Sequence, residues 1–206
     1  MFILDTTVAK KNKLLTSVLF QFCYNLVALC ILIPQGNAKG KNWRMSTIKM
    51  AHIDDHFIHG QVATRWCEAL EANLIVVVND ELALNKMRQG LLDMAVPDKI
   101  NSRYYSVEKA IKQIPLIKED KQILLITATL NDINQLLEGG IVIPRINLGS
   151  IAFEHGKRHM TNAIYLDEHD FSILESFVQL GIAIDSKTHP EDERQVLTSK
   201  LDHFIN

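Results

Sequence analysis

Cysteine is scarce: Cys23, Cys30 and Cys67 are the three among 206 residues. Beyond residue 45 only Cys67 is left, so that part of the chain cannot form an internal disulfide, and no Cys-x-x-Cys pair offers a zinc or redox site. The main body reads as a protein of a reducing compartment, and Cys67 has no base near it in sequence to make it reactive. Strong net charge is lacking too. A formal −2 carries none of the basic excess that marks a nucleic-acid binder. There is no Walker A segment and no Gly-x-Gly-x-x-Gly, which excludes the usual nucleotide-phosphate loops. No solenoid period or low-complexity tract is present.

What is there is globular in composition, 47% apolar and 22% charged, but the two parts of the chain differ. Residues 1–44 hold six basic residues (Lys10, Lys11, Lys13, Lys39, Lys41, Arg44) against Asp5, whereas residues 45–206 keep sixteen basic and twenty-three acidic side chains, a net −7, with all eight histidines. From Leu14 to Ile33 runs an uncharged, largely apolar stretch, preceded by Lys10, Lys11 and Lys13 and followed by Pro34-Gln35-Gly36-Asn37-Ala38. It suits a secretion signal, a bilayer-spanning helix of roughly 20 residues, or a buried helix. Met45 also offers a start to a self-contained sequence, which would place the stretch outside the natural protein. The expected division is an N-terminal extension, 1–44, before a single domain, 45–206.

From Met45 onward strand and helix signals alternate. Thr47–Ile53 reads as a strand emptying into Asp54-Asp55-His56. Val62, Trp66 and Leu70, with Ala63 and Ala69, form the stripe of an amphipathic helix starting at Gly60. Leu74–Val78 is continuously apolar, as expected of a strand covered on both faces. Asn79-Asp80 begins a helix near Glu81–Leu91, and Asp80 and Glu81 read as its start rather than as catalysts. Arg103–Tyr105, Gln122–Thr127, Arg145–Gly149 and Ile182–Asp185 are further strands. Helices are expected at Val107–Ile114 behind Ser106, at Leu130–Leu137 before Gly139-Gly140, at Asp167–Leu180, and last at Glu191–Phe204. This rhythm predicts an α/β domain, an open and mostly parallel sheet with helices on both faces.

Chemistry in such a sheet gathers beyond the carboxyl ends of the strands, and the first strand ends in His52-Ile53-Asp54-Asp55-His56-Phe57-Ile58-His59-Gly60. Three readings of this cluster stand side by side. The histidines are hydrogen-bonded structural residues; or His52, His56 and His59 with an aspartate hold zinc; or His59, at the start of a helix whose N–H groups favour anions, accepts a phosphoryl group. In the last case Asp54 or Asp55 orients the imidazole and fixes its tautomer.

The segment MAHIDDHFIHGQVATRW (Met50–Trp66) resembles the opening of the IIB component of the mannose/fructose/sorbose family of the sugar phosphotransferase system. The likeness continues through VVVNDELALNKMRQGLL (Val76–Leu92), AVPDKI (Ala95–Ile100), SVEKAI (Ser106–Ile111), LLEGGIVIPRINLGSIAFEHGKR (Leu136–Arg158) and NAIYLDEHD (Asn162–Asp170) to Leu180-Gly181-Ile182. It covers nearly all of residues 46–206 and none of 1–44. The resemblance implies a cytoplasmic carrier, peripheral to a membrane complex. It would take a phosphoryl group from a phosphohistidine on IIA and give it to a sugar bound by the membrane IIC/IID pair, with no cofactor, no metal and no nucleic acid; self-association is left open. His59 matches the family's phosphoacceptor, and Asp54 and Asp55 its paired acids, one expected to buttress the loop through backbone N–H groups and the other to bond an imidazole. Where the family has two arginines this chain has His52 and His56, so phosphate gripping at neutral pH should be weaker. That permits a regulatory phosphoacceptor without efficient transfer as an alternative. Gln61 is a candidate for positioning the loop, and Lys157, Arg158 and His159 form a basic run that faces solvent, an acidic partner or the phosphate.

Overall fold

The computed structural model describes residues 47–118, 120–161, 163–192 and 195–196. The apolar stretch Leu14–Ile33 lies outside them, as does most of the helix expected at Glu191–Phe204. Among the described residues no helix is long and apolar enough to cross a membrane.

In chain order the elements are β1 (Thr47–Asp54), α1 (Gly60–Ala69), β2 (Leu74–Val78), α2 (Asp80–Leu84), α3 (Lys86–Asp93), β3 (Asn101–Tyr105), α4 (Val107–Gln113) with a 3₁₀ turn at Ile114–Leu116, and β4 (Gln122–Thr127). After these come α5 (Leu130–Glu138), β5 (Arg145–Ser150), the strands β6 (Arg158–Thr161) and β7 (Ile164–Leu166), α6 (Glu168–Gln179), β8 (Ala183–Ser186) and β9 (Gln195–Val196). Seven strands make one sheet in the order β3-β2-β4-β1-β5-β8-β9, and β6 and β7 pair separately as an antiparallel ribbon. Every pairing in the large sheet is parallel except β8 with β9. The expected mostly parallel α/β sheet is the observed one, and β1 occupies its centre.

The apolar runs are covered on both faces, as their lack of alternation demands. Leu74–Val78 is buried at all five positions. Met50, Ile75, Val77, Leu124 and Ile126 pack on one face against Ala63, Trp66 and Cys67 of α1. Intervening residues such as Ile53, Val76 and Leu125, equally buried, point to the other face by the period of two along a strand. The helix expected at Glu81–Leu91 is two helices. Asn85 leaves helical geometry at φ −99° and ψ 85°, and its side chain accepts the Arg88 N–H to cap α3. Asn79, Ser106, Thr129 and Asp167 likewise cap α2, α4, α5 and α6 through side-chain oxygens. A correction falls at the C-terminal end: Gln195 and Val196, placed in the expected final helix, form a strand against Asp185 and Ser186. An edge position beside β8 satisfies backbone groups that a helix would satisfy internally.

Candidate active site

Parallel pairing with β4 and β5 fixes the central strand to its last residue, setting His52 beside Ile126 on one flank and Asn147 on the other. β1 therefore delivers Asp54 to the carboxyl edge of the sheet as a buried group, 3% exposed. The loop beyond it is built on this carboxylate. Asp54 Oδ1 accepts the His56 N–H at 2.9 Å, an Asx turn, and the Asp54 carbonyl accepts the Phe57 N–H at 3.0 Å. The Asp55 N–H donates to the Ser150 carbonyl at 3.3 Å, tying the loop to β5. Phe57 takes a left-handed φ of 62°, a strained conformation for a residue with a side chain. Burial offsets it: Phe57 and Ile58 are sunk into the cluster with Trp66 and Leu82, and the Arg88 guanidinium lies 5.3 Å from the Phe57 ring centre.

His59 leaves the loop in extended geometry as the N-cap of α1 and offers no side-chain bond to the helix's first turn. Gly60, at φ +36°, makes the bend into the helix. The imidazole turns back to Asp54, its Nε2 2.9 Å from Oδ2, with the side chain 44% exposed. An ionised carboxylate only accepts hydrogen bonds, so Nε2 is the protonated nitrogen and Nδ1 keeps its lone pair in the neutral ring. Burial pushes the Asp54 carboxyl up. The contacts from His52 and His59 and the His56 N–H outweigh it, and the group lies at about 2. Asp54 is therefore a fixed negative charge behind His59.

Asp54 buttresses the loop through the His56 N–H and also bonds the His59 imidazole. Asp55 Oδ1 instead lies 2.8 Å from His56 Nδ1. His56 is 69% exposed at its side chain and meets the His59 ring edge-on at 5.9 Å between centres, so it stands beside the His59 imidazole. His52 does not. It is 2% exposed, packed on Trp66 at 5.7 Å, bonded through Nδ1 to Asn147 Nδ2 at 3.0 Å, and its Nε2 is 3.6 Å from Asp54 Oδ2. A side chain shut in this way cannot grip a phosphate on the exposed side of His59, and the expectation that it stands in for a phosphate-binding arginine is corrected. Gly149 of β5 makes room for it: a Cβ there would lie 2.5 Å from His52 Cε1.

The fold does not bring three histidines together as zinc ligands. Among the described residues the set of donor atoms that all lie within 4.8 Å of one another belongs to Asp54, Asp55 and His56, and both Asp54 oxygens are already hydrogen-bonded. The basic run is neutralised locally. Lys157 lies 3.4 Å from Asp170 and 3.7 Å from Glu154, Arg158 3.0 Å from Glu168, and His159 meets the Tyr165 ring edge-on. Cys67 is buried, and burial pushes its thiol up to about 11, the reverse of an activated thiolate. Asp80 Oδ1 accepts the Val107 N–H, a structural use. Asn147 is the site residue that sequence reasoning misses. Its signal is a polar side chain inside the apolar strand β5, where burial obliges it to find partners.

The model of the family described as PTS system sorbose subfamily IIB component matches residues 48–204. The chain belongs to this family. Among its relatives, the PTS system fructose-specific EIIB component of Bacillus subtilis (strain 168) is 32% identical over 149 residues, which is 72% of this chain and 91% of the relative. The PTS system mannose-specific EIIAB component of Escherichia coli (strain K12) is 34% identical over 159 residues, 75% of this chain. The chain spans about half the length of that relative, 49%. The crystal structure of the IIB domain of the sorbose permease from Klebsiella pneumoniae superposes with a TM-score of 0.71 at 28% identity, covering 76% of this chain and 97% of that domain. The α/β fold of the described residues is also the fold of that structural neighbour.

Proposed function

We propose that His59 is a phosphoacceptor. It takes a phosphoryl group from a phosphohistidine of a IIA protein and passes it to a sugar held by a membrane IIC/IID pair, with the protein working at the cytoplasmic face of that complex. The observation that carries this reading is the fixed orientation of His59: Nε2 is held by Asp54 at 2.9 Å, and Nδ1 is left with its lone pair at the N-terminus of α1. In the first step the Nδ1–P bond forms as the donor's N–P bond breaks, and the donor imidazole recovers its electron pair. In the second a sugar hydroxyl oxygen forms the new P–O bond, Nδ1 leaves with its electrons, and the hydroxyl proton passes to solvent. The first-turn N–H groups of α1, unpaired within the helix, face the anion. Asp54, holding the Nε2 proton, stabilises the positive charge the ring develops while phosphorylated. The α/β domain of residues 45–206 is the unit that does this, with residues 1–44 as an extension. Incubation with phosphorylated IIA and mass mapping should place the phosphate on His59, and His59→Ala should abolish labelling with the far-UV spectrum unchanged; near-normal labelling of that variant would exclude the assignment.

A second reading, a regulatory phosphoacceptor with inefficient transfer, is favoured by the burial of His52. It leaves His56 as the exposed imidazole beside His59 where relatives are expected to carry a permanent cation. Single-turnover rates separate the two readings, since a regulatory protein would be labelled by IIA yet fail to pass phosphate on to sugar in membranes bearing IIC/IID.

A further inference from the structure

We propose that Asn147 is a positioning residue that acts through His52 and Asp54 to keep the proton of His59 on Nε2 and its Nδ1 bare. The inference rests on the reading of His59 as phosphoacceptor and deepens it. Asn147 is itself fully buried and its amide cannot turn over. Its Oδ1 accepts the Lys187 N–H at 3.0 Å, and its Nδ2 donates to the Lys187 carbonyl at 2.9 Å. Both bonds come from backbone just beyond β8, so the flipped amide would place two donors and two acceptors face to face. The remaining Nδ2 hydrogen points at His52 Nδ1, 3.0 Å away. A ring nitrogen that accepts a hydrogen bond carries no proton, so His52 Nδ1 is bare and the ring's one proton sits on Nε2.

The consequence falls on Asp54. His52 Nε2 stands 3.6 Å from the same Oδ2 that His59 Nε2 approaches to 2.9 Å. A neutral His52 contributes a weak dipole at that distance and leaves the carboxylate to His59. An imidazolium at position 52 would place a full charge on the same oxygen and compete for it. His59 would then lose the partner that fixes its tautomer, and part of the population would carry its proton on Nδ1, the nitrogen that has to attack. The groups facing His52 from the packed elements are Asp54 on its own strand, Asn147 and Gly149 on β5, and Trp66 on α1. Asp54 is the one ionisable group among them. The amide of Asn147, a donor that never ionises, thus discriminates between the two states of the buried ring.

The test is carried out on the full chain. Long-range proton–nitrogen correlation spectra of the wild type at pH 7 should show His52 protonated on Nε2 alone and His59 protonated on Nε2. Asn147→Asp keeps the side-chain shape but puts a carboxylate opposite Nδ1. It should make His52 doubly protonated and raise the Nδ1–H fraction of His59. Single-turnover transfer from phosphorylated IIA should fall about tenfold at saturating donor, with the half-saturating donor concentration unchanged. A wild-type His52 with its proton on Nδ1 or on both nitrogens overturns the proposal without recourse to any variant, and so does a folded Asn147→Asp chain with unaltered His59 tautomer and rate. Phosphate mapping on the wild type runs alongside: a chain that shows the expected tautomers yet takes no phosphate supports the tautomer lock and contradicts the carrier reading.

Discussion

His52 and His56 stand four residues apart where relatives are expected to have arginines, and the fold gives them opposite environments. His52 lies in the central strand with a side chain 3% exposed, and His56 lies in the loop beyond with a side chain 69% exposed. The buried ring is bonded at Nδ1 by Asn147 of β5 and packed against Trp66 of α1, so its role is decided by geometry. The exposed ring has a carboxylate at 2.8 Å and water around the rest, so its role is decided by pH and by what arrives at His59. The same pair of replacements therefore alters the interior wiring in one place and the grip on an incoming anion in the other. Asp54 is the residue common to both halves, contacting His52, His56 and His59.

Breaking that shared point should have the largest effect. Asp54→Asn keeps the size of the side chain and removes the charge that orients His59. Single-turnover phosphoryl transfer is expected to fall about 100-fold, the lower range for losing an orienting group in proton and nucleophile chemistry. A rate within threefold of wild type would show that His59 needs no such partner.

The interior half can be broken from the opposite strand. Gly149→Ala would put a methyl group 2.5 Å from His52 Cε1, 2.7 Å from its Nε2 and 3.3 Å from the Ile53 carbonyl oxygen. Overpacking of this kind costs about 2 to 3 kcal/mol, read as a lowered urea midpoint at constant slope. His56→Ala on the exposed half should change stability by less than about 0.5 kcal/mol. Equal effects of the two variants would erase the distinction between the halves.

The sheet and its order of elements are legible in the sequence because covered strands have no polar alternation. Gln122–Thr127 is read to the residue and the apolar run Leu74–Val78 is β2 itself, since a two-sided core accommodates such runs. The break at Asn85 is hidden, as the apolar spacing carries on across it; the cue is local, an asparagine able to cap α3. The site is legible as a cluster but not as an arrangement. Spacing cannot say that His52 and Asn147, 95 residues apart, are registered neighbours on β1 and β5, nor that Asp54 rather than Asp55 turns inward. Those facts are set by strand pairing, which local sequence does not encode.

Acid sharpens the comparison next. The Asp54 carboxyl ordinarily titrates at 3.8 and in the fold lies at about 2, because the contacts from His52, His59 and the His56 N–H outweigh burial. A lowered folded-state value stabilises the fold above the unfolded value, and that contribution is lost as pH falls through the folded one. The shift is worth about 2 kcal/mol, present in full above pH 4 and gone near pH 2. The unfolding free-energy difference between wild type and Asp54→Asn should be level from pH 7 to about 5 and then close as acid is added. A difference that persists undiminished to pH 2 would mean that the carboxyl is not held low.

The smallest expected effect belongs to the exposed ring, and it has the most specific signature. A phosphoryl group on His59 carries roughly two negative charges near neutrality, and the His56 ring, 5.9 Å from the His59 ring, is within reach of it. Imidazoles lose their charge as pH rises through the range near 6.5, while a guanidinium keeps its own. A cationic imidazole at position 56 would stabilise the phosphorylated state, a benefit that belongs to the acidic side because imidazole charge is lost as pH rises. Acid cannot help without limit, because a proton on His59 Nδ1 removes the accepting lone pair, so the rate should be bell-shaped. His56→Arg should leave the acidic limb alone, flatten the alkaline limb, and raise transfer about fivefold at pH 8 with a longer phosphohistidine lifetime. Single-turnover rates and lifetimes for both chains between pH 5.5 and 8.5 make the comparison. Superimposable profiles would remove His56 from the phosphate's surroundings and leave the helix N-terminus to hold the anion unaided. The two histidines would then differ in burial while neither served the charge that relatives are expected to place there.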